Sequence, residues 1–195
     1  GQAPAAEIAA AGITPVLDAI GVGDPYGDGF RSRDQSALLD VLDRLEAARV
    51  LRADHHIHVR CELPAANARE LFEPFAHHRR LRLISLMDHT PGQRQWSDIE
   101  HARTYYTGKK GWSQDQFDRE LRIAPQRQAE HAAPNRAWFA TYAREHDVAL
   151  ATHDDTTLAH VEEAQALGAS MSEFPTTLLA AREAKARGLC TVAGA

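Results

Sequence analysis

Residues 52–63 read RADHHIHVRCEL and have the alternating pattern of a β-strand. Side chains alternate between the two faces of a β-strand, so the stretch separates into two sets. The ionisable set consists of Asp54, His56, His58, Arg60 and Glu62. The mostly apolar set consists of His55, Ile57, Val59, Cys61 and Leu63. Because buried charged groups need partners or a metal ion, this pattern predicts the inner wall of a barrel with an active site at its mouth.

Strand-like and helix-like segments alternate along the rest of the chain. The predicted strands cover about residues 13–20, 52–63, 81–89, 147–152, 169–173 and 189–194. A helix follows each of the first five strands, and Asp34 is the predicted N-cap of the first of these helices. Such alternation is typical of parallel strands joined by right-handed crossovers. The sequence therefore predicts an α/β fold made of parallel (β/α) units.

Six units are fewer than a closed barrel needs. A TIM-like barrel has eight units and about 250 residues, whereas this chain has 195 residues. Residue 1 falls inside a predicted helix, and residue 195 falls just after a predicted strand. These positions favour the interpretation that the chain is the middle part of a barrel whose first and last units lie outside it. An open parallel sheet is the alternative interpretation.

Residues 90–134 contain no strand signal and are too long for a plain connection. We expect a helical insertion here that acts as a lid or binding subregion of one partial barrel domain, residues 1–195. It includes a helical segment with Tyr105 and Tyr106 and a charged helix from about Ser113. A separate helix is predicted to begin at Asn135.

Composition narrows the class of protein. With 44% hydrophobic residues the chain can form one sizeable core, and its formal charge of -5 offers no basic stripe for a nucleic-acid partner. The sequence contains neither an apolar run long enough to cross a membrane nor a signal-like start. Cys61 and Cys190 form no paired framework, which favours a reducing, cytoplasmic location.

Ionisable residues collect at the carboxyl ends of the predicted strands, where barrels of this kind build their sites. Imidazole nitrogens and carboxylate oxygens are ligands of divalent ions such as Zn or Mn. The predicted metal ligands, for one or two ions, are His58, Glu62, His89 and His153. For each histidine, a structural role in the core is the alternative. Glu62 and Glu173 could instead pair with Arg60.

Asp154 and Asp155 follow His153 directly and are the predicted catalytic carboxylates. One could act as general base toward a water and the other as a helix cap, and position alone does not assign the two roles. Arg60 and Arg94 are predicted to bind an anionic substrate, because guanidinium groups suit phosphate oxygens. Gln93, beside Arg94, is a further predicted substrate-binding residue. Lys109 and Lys110 are further candidates for contact with the anion, and an ordinary surface role is at least as good an interpretation for these two lysines.

Four motifs in order resemble one known family. They are HHIHVRCELP at 55–64, SLMDHTPGQRQ at 85–95, THDD at 152–155 and SEFPTT at 172–177. Together they are similar to the phosphonate-metabolism branch of the amidohydrolase superfamily. The resemblance implies a metal-dependent barrel that cleaves pyrophosphate from a phosphorylated sugar, alpha-D-ribose 1-methylphosphonate 5-triphosphate. It also implies that Glu62 bridges the metal ions and that His89 and His153 are strand-end ligands, with His58 as a further candidate.

Two parts of the superfamily pattern do not occur in these residues: a His-x-His pair ending the first barrel strand and an aspartate ending the last. We therefore expect an incomplete metal site in a truncated chain, whose activity alone is an open question, and open sheet edges that could pair with a second copy. Two other functions stay open. One is an amidohydrolase acting on a cyclic amide or N-acyl substrate, and the other is a non-catalytic metal-binding domain.

Overall fold

Six parallel strands form one open sheet in the computed structural model, which describes residues 2–27 and 36–193 of the protein. The strands are β1 Val16–Val22, β2 His55–Glu62, β3 Leu81–Met87, β4 Ala149–His153, β5 Met171–Glu173 and β6 Cys190–Val192. Their order in the sheet follows the sequence, and every neighbouring pair is parallel. The predicted α/β fold of consecutive (β/α) units is confirmed. The sheet does not close into a barrel.

Helices connect the strands. The α-helices are α1 Gln2–Ala10, α2 Ser36–Ala47, α3 Ala68–Phe72, α4 Ile99–Thr104, α5 Gln114–Glu145, α6 Leu158–Ala166 and α7 Leu178–Ala186. Short 3-10 turns lie at Glu73–Phe75 and Arg94–Trp96, and a π-helical turn lies at Tyr105–Lys109. The predicted cap Asp34 and the predicted end of the last strand, Gly194, lie outside the described residues.

Helix α5 corrects one predicted boundary. It runs without a break through Pro125 and Pro134, so no new helix begins at Asn135. Proline inside a helix removes a hydrogen bond and normally kinks or ends the helix, yet α5 continues across both prolines. Here Asn135 is buried, and its Nδ2 donates to the backbone oxygens of Leu63 and Ala65, at 2.9 and 3.0 Å. These tertiary contacts favour the continuous helix over the break.

The apolar face of β2 packs into the main core. Ile57, Val59 and Cys61 are fully buried, and they share one cluster with Phe72 and Phe139. The rings of Phe72 and Phe139 meet edge to face, with centroids 5.3 Å apart. Burial of one such aromatic side chain stabilises the fold by roughly 1.5–3 kcal/mol. This packing leaves the opposite face of β2 for polar contacts.

That polar face of β2 contacts side chains of β3, of β4 and of the segment just beyond β3. His58 lies against Ser85 of β3, and Arg60 reaches His153 at the end of β4. Glu62, the last residue of β2, contacts His89 just beyond β3. The alternation predicted for residues 52–63 therefore separates core from site.

Residues 94–121 add a smaller aromatic cluster outside the sheet. Trp96, Tyr106 and Phe117 are buried there, and Tyr26 and Trp112 pack against them. Helix α5 begins with a capping box, in which Ser113 Oγ accepts from the backbone N–H of Gln116. Among residues 2–27 and 36–193, no helix has both the length and the apolar character needed to cross a membrane.

Candidate metal centre

Two histidines and an aspartate meet at the carboxyl ends of β3 and β4. His89 lies two residues beyond β3, His153 is the last residue of β4, and Asp154 follows it. One ligand atom from each of the three side chains lies within 4.8 Å of the other two. Parallel neighbours carry their carboxyl ends to the same edge of a sheet, and this is what brings residues 64 positions apart together.

Glu62 holds His89 in place through two contacts. Its Oε1 accepts from the backbone N–H of His89 at 2.9 Å, and its Oε2 lies 2.6 Å from His89 Nδ1. The other ring nitrogen, Nε2, lies 3.7 Å from Asp154 Oδ2. A carboxylate on Nδ1 favours the tautomer that leaves the Nε2 lone pair available.

Glu173 orients His153 in the same way. The register pairs His153 with Glu173, and His153 Nδ1 lies 3.2 Å from Glu173 Oε2. His153 Nε2 lies 3.6 Å from Asp154 Oδ2. In both imidazoles, Nδ1 thus contacts a carboxylate and Nε2 faces Asp154. Metal-ligating histidines typically have this arrangement, so the donor set fits a divalent ion.

Asp154 occupies a turn that its neighbours impose. It has a φ of 55°, in the left-handed region, and its backbone N–H donates to the Glu173 oxygen at 2.9 Å. Burial raises the pKa of its carboxyl, while the nearby rings of His153 and His89 act in the opposite direction. A cation beside this carboxyl would favour its charged form.

His58 lies outside this group of three donor side chains. Its Nε2 lies 2.5 Å from Ser85 Oγ and 3.5 Å from Glu173 Oε1. Burial lowers the pKa of His58, and the nearby Glu173 only partly opposes this effect. Burial also disfavours the charged form of Glu173, but hydrogen bonds from His153 and Ser85 outweigh it and lower its pKa. His58 thus supports Glu173, which in turn supports His153.

Arg60 reaches the same imidazole from β2. Its Nη2 lies 3.0 Å from His153 Nε2, the nitrogen that faces Asp154. Its Nε is buried and has no hydrogen-bond partner among the described residues. Since one lone pair cannot serve a guanidinium and a metal ion together, an ion bound at His153 Nε2 would displace this contact.

A curated bacterial enzyme is similar to this chain. The alpha-D-ribose 1-methylphosphonate 5-triphosphate diphosphatase of Escherichia coli (strain K12) is 39% identical over 190 residues, which are 95% of this chain and 49% of that enzyme. The chain therefore spans about half the length of this relative. No family model matches the chain, and no solved structure matches it significantly. The resemblance to a phosphonate-metabolism enzyme, predicted from the four motifs, is confirmed as overall sequence similarity to this diphosphatase.

Asp155 faces away from the three donor side chains and is fully buried. It accepts hydrogen bonds from Arg94 Nη1 at 2.5 Å, Thr152 Oγ1 at 2.5 Å and Ser172 Oγ at 2.7 Å. Neither Asp154 nor Asp155 caps α6, because the N-cap is Thr157. The predicted helix-cap role was therefore wrong, since two more residues separate the aspartates from the helix.

Arg94 and Gln93 lie on the turn after β3. Arg94 is buried, and besides Asp155 it donates to the His153 backbone oxygen at 3.1 Å and to Glu163 at 3.1 Å. Gln93 is half-buried, and its backbone N–H donates to the Thr90 oxygen at 3.0 Å. The guanidinium of Arg94 thus braces the end of β4 from within the protein.

A cavity of about 110 Å³ opens beside Glu62 and His89. We call it the aromatic cavity; its other lining residues are Tyr26, Gln95, Trp96, Tyr105, Tyr106 and Lys110. Burial raises the pKa of Tyr26, and the neighbouring Tyr106 and Glu62 add to this effect. Of these lining residues, sequence reasoning had considered Lys110 as a candidate substrate contact and had placed Tyr105 and Tyr106 in the predicted insertion, but it missed Tyr26, Gln95 and Trp96 as site residues. The available signal was the density of aromatic side chains in the predicted insertion.

Proposed function

We propose that this chain carries part of a metal-dependent diphosphatase site that releases pyrophosphate from alpha-D-ribose 1-methylphosphonate 5-triphosphate. The observation that supports it most is the convergence of His89, His153 and Asp154, in a chain that is 39% identical to a diphosphatase. The predicted insertion, which supplies most of the walls of the aromatic cavity, is part of this proposal as the lid or binding subregion.

The metal would be held by His89, His153 and Asp154, with Glu62 and Glu173 fixing the two imidazoles through Nδ1. A divalent ion such as Zn or Mn supplies Lewis acidity toward phosphate oxygens and a water of lowered pKa. In this proposal Glu62 orients His89, whereas the resemblance assigns Glu62 as a bridge between two ions. The bridging role stays a prediction.

Arg60 is the proposed contact for substrate phosphate. Its guanidinium lies at His153 without a carboxylate partner among the described side chains and can donate to phosphate oxygens in pairs. Gln93 stays a predicted substrate contact. We assign Arg94, Asp155 and His58 as positioning residues, because each is buried among partners that hold the strand ends.

Metal content and pyrophosphate release test this proposal together. His153→Ala should remain folded, lose the bound ion and lose pyrophosphate release from the triphosphate. His131→Ala is a matched control, because His131 lies on α5 and pairs only loosely with Glu130, at 3.9 Å. A wild-type protein that binds no divalent ion would contradict the proposal.

The two alternative functions give different results in the same assays. Release of ammonia or a carboxylate from a cyclic amide or N-acyl substrate, without pyrophosphate release, would favour another amidohydrolase. If His153→Ala and Asp154→Ala lose the ion and also unfold, the ion is structural and the non-catalytic function is favoured.

The setting of the chain is also part of the proposal. Cys61 and Cys190 are free thiols, as expected in a reducing, cytoplasmic location. The partner is a small phosphorylated sugar rather than nucleic acid or membrane. β1 and β6 have unpaired edges in the described sheet, so association with a second copy stays a prediction that sedimentation can test.

A further inference from the structure

The aromatic cavity lies directly beside the candidate metal centre, because Glu62 and His89 form part of its wall. Its volume of about 110 Å³ is several times the space that one water molecule needs. A substrate held at His89 would therefore extend into this cavity. The remaining walls indicate which part of that substrate they suit.

Those walls are mainly aromatic. The centroids of Trp96 and Tyr105 lie 4.8 Å apart, and those of Trp96 and Tyr106 lie 5.5 Å apart. The hydroxyl oxygens of Tyr106 and Tyr26 are 2.9 Å apart. A polyphosphate has no apolar surface to bury against such rings. A pentose ring has both apolar C–H faces and hydroxyl groups, and suits a pocket of this kind.

Two adjacent lysines of the predicted insertion differ in their surroundings. Lys110 lines the aromatic cavity, together with Tyr105 and Tyr106. Lys109 does not line it, and its Nζ lies 5.5 Å from the centroid of the Tyr105 ring. Both side chains are exposed, so substitution of either should leave the fold intact. The ammonium group available to an anion in the cavity is therefore that of Lys110.

We infer that the aromatic cavity binds the sugar end of the substrate and that Lys110 pairs with the anionic group on the sugar, the methylphosphonate at carbon 1. This inference rests on the proposed function, which places the triphosphate on carbon 5 at the metal centre. Lys110 is then a specificity-determining residue. It favours sugars that carry a second anionic group over sugars that lack one.

Calorimetric binding of two ligands tests the inference without turnover. The ligands are ribose 1-methylphosphonate 5-phosphate and ribose 5-phosphate, which lacks the phosphonate. Lys110→Met should weaken binding of the first ligand about tenfold and leave the second unchanged, because it removes one charge-assisted contact. Lys110→Arg should retain most of the affinity, and Lys109→Met should bind both ligands like the wild type.

Three results would overturn the inference. One is equal weakening of both ligands in Lys110→Met, which would place the lysine at the phosphate on carbon 5. Another is an equal effect of Lys109→Met, which would show only a general charge effect. The third is wild-type protein that binds neither ligand. The predicted binding pattern in a protein that releases no pyrophosphate would support the sugar site and refute the diphosphatase proposal.

Discussion

Asp154 and Asp155 are neighbours in sequence, but their replacement by asparagine should have different consequences: loss of stability for Asp155 and loss of metal for Asp154. Asp155 is fully buried and Arg94 is 6% exposed, so solvent does little to screen their ion pair. Removing one member of a buried pair costs roughly 3–5 kcal/mol, because the other charge is left without its partner. The remaining partner, Glu163, is 36% exposed and compensates only in part.

We therefore expect Asp155→Asn to lose about 3 kcal/mol of unfolding free energy, the low end of that range, since asparagine keeps one acceptor oxygen. For a chain of this size, such a loss lowers the melting temperature by roughly 6–12 °C. Asp154→Asn should change the unfolding free energy by less than about 1 kcal/mol. The change is small because burial already disfavours the charged form of the Asp154 carboxyl. The variant should nevertheless lose the divalent metal ion.

Urea unfolding followed by circular dichroism, with metal content measured on the same samples, separates the two effects. Arg94→Met and the double variant complete a thermodynamic cycle, in which the double variant should cost less than the sum of the single ones. The reasoning would be refuted if Asp155→Asn lost less than about 1 kcal/mol, or if Asp154→Asn were equally destabilised and kept its metal.

Three further predictions concern other parts of the molecule. Glu173→Gln should weaken metal affinity roughly 10–100-fold in a chelator competition, because His153 Nδ1 loses its carboxylate partner; unchanged affinity would argue against that orienting role. Phe72→Ala should cost about 3–5 kcal/mol in urea unfolding, since it leaves a cavity in the main core, and a cost below about 1 kcal/mol would show that the core collapses around it. Burial lowers the pKa of His160, whose Nδ1 accepts from the Thr156 backbone N–H. The unfolded chain therefore takes up a proton near pH 6.5, whereas the folded chain resists protonation of this imidazole. The free energy of unfolding should thus fall as the pH drops below that value. His160→Gln should reduce this loss between pH 7.5 and pH 5.5, and an unchanged pH dependence would contradict the assignment.

The sequence of β2 was sufficient to predict its two faces. A strand has a fixed period of two, so the ionisable and apolar sets of residues 52–63 could be separated without any tertiary information. The same reasoning placed His89 and His153 at neighbouring strand ends, because parallel strands joined by crossovers carry their carboxyl ends to one edge.

The roles of neighbouring polar residues could not be predicted in this way. Asp154 and Asp155 have the same side chain. Because of the left-handed turn at Asp154, its carboxyl faces the imidazoles, whereas the carboxyl of Asp155 faces the protein interior and Arg94. Lys109 and Lys110 are equally ambiguous in sequence. The π-helical turn places one of them at the aromatic cavity.

Helix α5 shows the same limit for secondary structure. A proline signals a helix boundary through local sterics, but the buried contacts of Asn135 hold the helix across Pro134. Side-chain chemistry and strand periodicity are local properties, so the (β/α) order, the polar face of β2 and the types of donor at the strand ends could be predicted from the residues alone. The folded chain was needed to show which donors converge, which carboxylates only support them and which lysine lines the cavity, because these depend on backbone turns and on packing between residues far apart in sequence.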